Sequence, residues 1–230
     1  MASQSFPDLE HIIIDGSSTD GTKEWLISAA KVGLFNHFLT ERDHGIYDAL
    51  NKGIRACKGE FVVVLHAGTA LEPGALETLA NIIRNNGSDH IIASSVVWQK
   101  HKDSRTYELR SSLKPLSCRN TKILHESIFI PRKFFGTIGL YDCRYSISAD
   151  YEWICRAESK NMLTPIYSDE VLICYESGWG ISGEPKNELK KITEHYKIAR
   201  QYVGLPFALR RYVFRLTKLA IKRLISYVRS

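Results

Sequence analysis

The sequence predicts an α/β fold: a mostly parallel sheet with helices on both faces, a smaller antiparallel portion, and helices at the C-terminal end. Three observations carry this. Apolar runs of strand length alternate with helical repeats over the first 85 residues, which is the pattern of a parallel, doubly wound sheet. After Asn86-Gly87 the alternation gives way to apolar runs around a charged turn, as antiparallel strands require. From Asn187 onward, apolar and basic residues mix at helical spacing up to Ser230.

In chain order, Leu9 to Ile14 reads as a strand that ends in Asp15-Gly16-Ser17-Ser18-Thr19-Asp20-Gly21-Thr22. Thr19 or Asp20 is placed to cap a helix bearing Trp25, Leu26 and Ala29. Leu34 to Leu39 is a second expected strand, and Thr40 to His44 a loop. Ile46, Leu50 and Ile54, at i, i+4 and i+8, lay one apolar stripe along a helix that Lys58-Gly59 terminates. Phe61 to Leu65 is a continuous run of β formers, expected as a strand covered on both faces. That places His66-Ala67-Gly68-Thr69 at the carboxyl end of a central strand, where open α/β sheets bind ligands. Pro73-Gly74 opens a helix to Asn85, with Leu76, Leu79, Ile82 and Ile83 inward.

In the second half, Ile91 to Trp98 and Thr106 to Leu109 flank the charged turn Lys100 to Arg105. Ile123 to Ile130 is an expected strand carrying His125 and Glu126, and Pro131 starts a short helix. Ser148 to Ser159 reads as a helix with Asp150 in its first turn, where the helix dipole favours a carboxylate. Val171 to Tyr175 is a last strand before the glycine-rich Ser177-Gly178-Trp179-Gly180.

Composition narrows the classes. A chain of 230 residues with 44% hydrophobic content can bury a core, and its net charge of +6 is unevenly placed. Lys190 to Ser230 holds eleven Lys/Arg against one acid, Glu194, so the remainder of the chain is mildly acidic. The five cysteines, at 57, 118, 143, 155 and 174, form no CxxC pair and suit neither a zinc site nor a disulfide framework, which points to a reducing cytoplasm. The polar start and the lack of 18 unbroken apolar residues argue against a signal peptide or a spanning helix. Nucleic acid is not an expected partner, because no base-stacking aromatic module accompanies the charge.

Four ordered motifs carry a resemblance: Asp15 to Thr22, then Asp43-His44-Gly45-Ile46-Tyr47-Asp48-Ala49-Leu50-Asn51-Lys52-Gly53, then His125-Glu126, then Ala149-Asp150-Tyr151-Glu152. Together, over roughly residues 5 to 185, they resemble the inverting family 2 glycosyltransferases of the GT-A fold. The resemblance implies a Rossmann-like GT-A domain over residues 1–185, followed by a basic amphipathic helical extension over 186–230. It implies transfer of a sugar from a nucleotide diphosphate sugar to a hydroxyl on a saccharide or lipid-linked acceptor, with inversion, in polysaccharide or glycoconjugate biosynthesis. Asp150 matches the family's catalytic base. Asp15, Ser17, Asp43, Gly45, Asn51, Lys52 and His66 fall on the donor side, and His125 and Glu126 on the acceptor side. Gly178 to Ser182 resembles the glycine-rich loop near the donor diphosphate.

Local chemistry leaves plainer alternatives. Asp15 to Gly21 also fits a capped strand-to-helix turn, Asn51 and Lys52 a solvated helix face, Asp150 a helix N-terminal acid, and His125 a satisfied core residue. Two departures from the family pattern stand out. The family's paired aspartates, which hold Mg²⁺ or Mn²⁺ against the diphosphate, correspond here to His66-Ala67-Gly68-Thr69, without a carboxylate, so the expected metal ligands are none; either cationic side chains of the tail stabilise the leaving group, or the chain is a non-catalytic relative that binds a nucleotide sugar or acts as a membrane-surface partner. The residues before Leu9 are also too few for the family's opening strand and helix, since a βα unit needs on the order of twenty to thirty residues. This predicts an N-terminally shortened copy.

The tail is expected to form two helices divided near Gly204-Leu205-Pro206. The second, Phe207 to Arg229, carries the basic and apolar character of a helix that lies on an anionic membrane surface, which would place the protein on the inner face of the membrane. A helix packed on the body with its basic face in water is the alternative.

Overall fold

The structure, a computed structural model, describes residues 4, 6–99, 107–110, 115–120, 124–176 and 185–228. The charged turn Lys100 to Arg105 and the glycine-rich stretch Ser177 to Ser182 lie outside these residues. The elements run β1 (Ile12–Asp15), α1 (Thr22–Lys31), β2 (His37–Thr40), α2 (Ile46–Ala56), β3 (Phe61–Val62), β4 (Thr69–Leu71), α3 (Ala75–Asn86), β5 (Ile91–Gln99) and β6 (Tyr107–Arg110). They continue with a 3₁₀ turn (His125–Ser127), β7 (Ile128–Pro131), α4 (Arg132–Thr137), α5 (Ala149–Ser159), β8 (Pro165–Glu176), a second 3₁₀ turn (Pro185–Asn187), α6 (Glu188–Tyr202) and α7 (Leu205–Val228).

The α/β class with helices on both faces stands, but strand direction is more mixed than expected. β1 and β2 pair in parallel as a two-stranded sheet, and β5 pairs in parallel with β8. β3 with β7, β7 with β5, β4 with β8 and β6 with β5 are all antiparallel. β3 and β4, though joined by a short connection, sit at opposite ends of the six-stranded sheet, and each takes an antiparallel partner from much later in the chain.

Alternation along the central strands builds two cores, one on each face. Ile128 and Ile130 of β7 and Ile91 of β5 face α2, α4 and α5, where Phe134, Phe135, Tyr141 and the fully buried Trp153 pack. Phe129 and Ile92, one residue out of phase, join Leu71, Leu76, Leu79, Leu172 and Ile173 beneath α3. The predicted stripe of α2 faces the first core, with Ile54 buried and Ile46 and Leu50 packed against it. Each large apolar side chain removed from water contributes roughly 1.5–3 kcal/mol, so these two layers hold the sheet between the helices.

The structure corrects expectations at three places. Of the run Phe61 to Leu65 only Phe61 and Val62 join a ladder, and that ladder is to β7 at the sheet edge rather than at its centre. His66 therefore does not end a central strand: His66-Ala67-Gly68-Thr69 closes a tight turn, with the Thr69 N–H donating to the His66 carbonyl at 3.0 Å and Gly68 at φ 84°. His125 and Glu126, expected on a strand, form the 3₁₀ turn that leads into β7. At the first helix, Gly21 in the left-handed region is the N-cap, and the Asp20 carboxylate supports it by accepting the Thr22 N–H at 3.1 Å.

The division of the tail falls at Gly204, as the sequence predicts. α6 is seated against α5 through the buried Ile192, Ile198 and Ala199. Its Glu194, the one acid between Lys190 and Ser230, accepts the N–H groups of Ser146 (3.0 Å) and Ile147 (3.1 Å), just ahead of α5. All five cysteines are free thiols. Among the described residues no helix is long and apolar enough to cross a membrane.

Candidate active site

Two walls are built from the residues predicted to be functional. The first gathers around the β1–α1 turn. Asp15 is buried at the end of β1, where its carboxylate accepts the Ser18 N–H at 3.1 Å and the hydroxyls of Ser18 and Thr40. Those bonds, Ser18's first, hold its pKa below the usual aspartate range. Ser17 lies exposed in the left-handed region at φ 64°, a conformation that a non-glycine residue adopts at some cost and that concentrates at functional turns. Gly16 closes the wall against the next loop. A Cβ there would stand 3.0 Å from Asp43 Oδ2, so a side chain at this position would press the Asp43 carboxylate back.

Lys52 fixes that loop. Its ammonium donates to Asp43 Oδ1 at 2.6 Å and to the Arg42 carbonyl at 3.0 Å, and it lies 2.9 Å from Glu41 and 3.5 Å from Asp48. Hydrogen bonds to Asp43 and then Glu41 raise its pKa. Gly45 starts α2 at φ 115° and ψ 171°, a region open only to glycine. Asn51 points elsewhere: buried, its carboxamide donates to the Tyr141 carbonyl at 2.8 Å and accepts the Tyr141 N–H at 2.9 Å, bracing α2 to the chain before α5.

The second wall is a row of titratable groups ending at Asp150. The Tyr47 hydroxyl, on the first turn of α2, donates to Asp150 Oδ1 at 2.9 Å and lies 3.0 Å from the Ile147 carbonyl. Asp150 itself is half-buried at the start of α5. Crowding by protein atoms raises its pKa above the ordinary value, with the Tyr47 bond opposing that rise. Tyr141 stands with its ring centroid 5.7 Å from that of Tyr47, and its hydroxyl is 2.5 Å from His125 Nε2. Burial, then the charge of His66, lowers the His125 pKa to about 4, so this imidazole is neutral at pH 7. His66 completes the row, 6.2 Å ring to ring from His125 and 4.0 Å from Glu126 Oε1.

The structure thus gathers Asp15, Ser17, Asp43, Gly45 and Lys52 around the β1–α1 turn and the start of α2, and Asp150, His125 and Glu126 into a second group, which His66, expected on the donor side, joins. Tyr47 and Tyr141, which link the second wall, were missed from the sequence. The available signal was their place beside Gly45 and ahead of Asp150. A divalent metal does not fit the described residues. His66 and Glu126 are two donors around 4 Å apart, Gly68 and Thr69 offer no carboxylate, and among the described residues no group of three or more His, Cys, Asp or Glu could hold an ion.

Comparison with known proteins decides the family. The model of glycosyl transferase family 2 matches residues 1–144. The chain belongs to that family. It is 30% identical over 186 residues to a protein named PGL/p-HBAD biosynthesis glycosyltransferase from Mycobacterium bovis, covering 79% of this chain and 71% of the relative. An uncharacterized glycosyltransferase of Rickettsia felis is 26% identical over 204 residues, covering 84% of this chain and 32% of the relative. Among solved structures, S. aureus TarS 1-349 in complex with UDP-GlcNAc superposes with a TM-score of 0.66 at 15% identity, over 94% of this chain and 65% of that one. The mannosyltransferase PcManGT from Pyrobaculum calidifontis, in complex with GDP-Man and Mn²⁺, gives 0.58 at 18% identity, over 96% and 69%. The family 2 chain therefore has the GT-A fold, and it spans about two thirds of the solved TarS segment.

Proposed function

We propose that this family 2 chain moves a sugar from a nucleotide diphosphate sugar to a hydroxyl of a saccharide or lipid-linked acceptor, inverting the anomeric centre, in the cytoplasm. The observation that carries the reading is Asp150, a half-buried carboxylate with a raised pKa that Tyr47 aims from 2.9 Å. A base of that kind takes the acceptor proton as the hydroxyl oxygen bonds to the anomeric carbon. The bond from that carbon to the diphosphate oxygen breaks, and its electron pair leaves with the nucleotide diphosphate. Asp15, Ser17, Asp43 and Gly45 form the donor wall, where a carboxylate at a strand end can accept from ribose or base. Lys52 and Asn51 hold that wall and α2 in place. His125 and Glu126 lie on the acceptor side. The PGL/p-HBAD name of the mycobacterial relative supports a glycoconjugate product.

Residues 1–185 form the transferase domain in this reading, and 186–230 an extension whose first helix braces Asp150 through Glu194. A second observation concerns α7. Leu209, Val213, Phe214, Ile221, Leu224 and Ile225 are exposed, Phe214 at 68% and Leu224 at 64%, on a helix that also carries Arg210, Arg211, Arg215, Lys218, Lys222 and Arg223. An apolar face bordered by cations suits the surface of an anionic bilayer and a lipid-linked acceptor.

Calorimetric titration with nucleotide diphosphates and nucleotide sugars, with and without Mn²⁺, tests the donor assignment. Binding that Asp15→Ala abolishes supports it. A folded wild-type chain that binds none of them refutes it.

A further inference from the structure

α6 and α7 fold back on one another beside the helix that carries Asp150. Lys191 and His195 sit one turn apart on α6, and Arg211 and Arg215 one turn apart on α7. The hairpin brings these residues together. Arg215 Nη1 stands 2.5 Å from His195 Nδ1 and Arg215 Nη2 3.6 Å from Glu188 Oε1, with the Arg215 side chain only 20% exposed. The His195 ring lies 4.9 Å from that of Tyr151, the residue next to Asp150, and Arg211 Nη1 reaches the Arg119 carbonyl at 3.0 Å.

This arrangement crowds positive charge. His195 is held neutral, its pKa well below the ordinary value through burial and then Arg215, Lys191 and Arg211. Lys191 is lowered by burial and Arg215, against the opposing pull of Asp150 and Glu188. Like charges drawn together in a partly dry setting oppose folding, and an arriving anion relieves the strain. Lys218 and Lys222 continue the row, three and seven residues beyond Arg215, to the exposed part of α7.

We propose that Lys191, Arg211 and Arg215, with His195 between them, form a phosphate-binding subsite next to Asp150 that takes a phosphate or diphosphate group of the acceptor. The proposal rests on the transferase reading above, because Asp150 is the group that meets the acceptor hydroxyl. Guanidinium and ammonium groups recognise phosphate by charge-assisted hydrogen bonds, which a neutral saccharide would not need. The same chemistry also suits the diphosphate of the donor, because His66-Ala67-Gly68-Thr69 holds no carboxylate.

The test is calorimetric titration of wild type, Lys191→Gln and Arg215→Gln with inorganic pyrophosphate and, separately, with UDP, each variant first checked for folding by circular dichroism. Pyrophosphate affinity is expected to fall at least tenfold in either variant. Unchanged UDP affinity then assigns the subsite to the acceptor, and an equal fall in UDP affinity assigns it to the donor diphosphate. Should Arg215→Gln fail to fold, Lys191→Gln, at a part-exposed position, decides alone. Folded variants that bind pyrophosphate like wild type overturn the subsite, as does a wild type that binds UDP but not pyrophosphate, and both leave the transferase reading intact. A wild type that binds neither probe overturns the subsite, and the transferase reading falls with it only when the wider panel of nucleotide diphosphates and nucleotide sugars also fails to bind.

Discussion

Replacing Tyr47 with Phe removes one oxygen and tests how Asp150 is tuned. The hydroxyl donates to Asp150 Oδ1 at 2.9 Å and is the largest influence that favours the ionised carboxylate against burial. A hydrogen bond to a charged group contributes about 1.5–3 kcal/mol. At about 1.36 kcal/mol per pH unit, full loss would raise the Asp150 pKa by about one to two units. Water reaching the half-buried carboxylate replaces part of that bond, so a rise of about one unit is expected. In the proposed mechanism the base works only when ionised, so the acid limb of kcat/KM should move to higher pH by the same amount. Stability follows the same sign. A carboxylate whose pKa is higher in the folded than in the unfolded state binds its proton more tightly when folded, so its contribution is lost as pH rises through the folded value, and Tyr47→Phe extends that loss upward. Carboxyl carbon NMR of Asp150, read beside the pH profile of donor turnover, measures the shift. An acid limb and a carboxyl titration that stay put, or move to lower pH, would refute the reasoning.

Other expectations follow from the same geometry. Asp15→Ala leaves the Ser18 N–H and the hydroxyls of Ser18 and Thr40 without their acceptor and should cost about 2–3 kcal/mol in urea unfolding, with nucleotide binding lost. Because the Asp15 pKa is depressed in the folded state, its stabilisation is present above the unfolded aspartate value and lost as pH falls through the folded one, so wild type and Asp15→Ala should converge in acid. Gly45→Ala forces a side chain into φ 115° and ψ 171° at the start of α2, and a loss of about 1–3 kcal/mol in thermal unfolding should accompany weaker donor binding. Lys52→Met frees Asp43, Glu41 and Asp48 to repel one another, so the KM for donor should rise in steady-state kinetics while kcat changes little.

Legibility in the sequence tracked distance along the chain. α2 and α5 were readable because their signals, the stripe Ile46–Leu50–Ile54 and the opening Ala149-Asp150, lie within a few residues. Asp15 and Asp43 were placed by motifs that are equally compact. The edge position of β3 was not readable, because an apolar run of five says nothing about its partner, and β7 lies some seventy residues on. Nor was the turn at His66, where Gly68 reverses the chain immediately after the run. Tyr47, Tyr141 and Asn51 act through bonds that span 90 to 103 residues, so periodicity gives no sign of them. Glu152 repeats the lesson. Named in the sequence only as the end of the motif Ala149-Asp150-Tyr151-Glu152, it is buried, 2.8 Å from Arg156 and accepting the Tyr202 hydroxyl of α6 at 2.6 Å.

The central claim is that Asp150 takes the proton in sugar transfer, and comparing wild type with Asp150→Asn tests it most directly. Turnover of a bound nucleotide sugar is measured beside its affinity. The account predicts that turnover falls by about 10²–10⁴-fold, the contribution of a positioned general base, while donor affinity stays within about twofold. Equal turnover in a folded Asp150→Asn chain would contradict it.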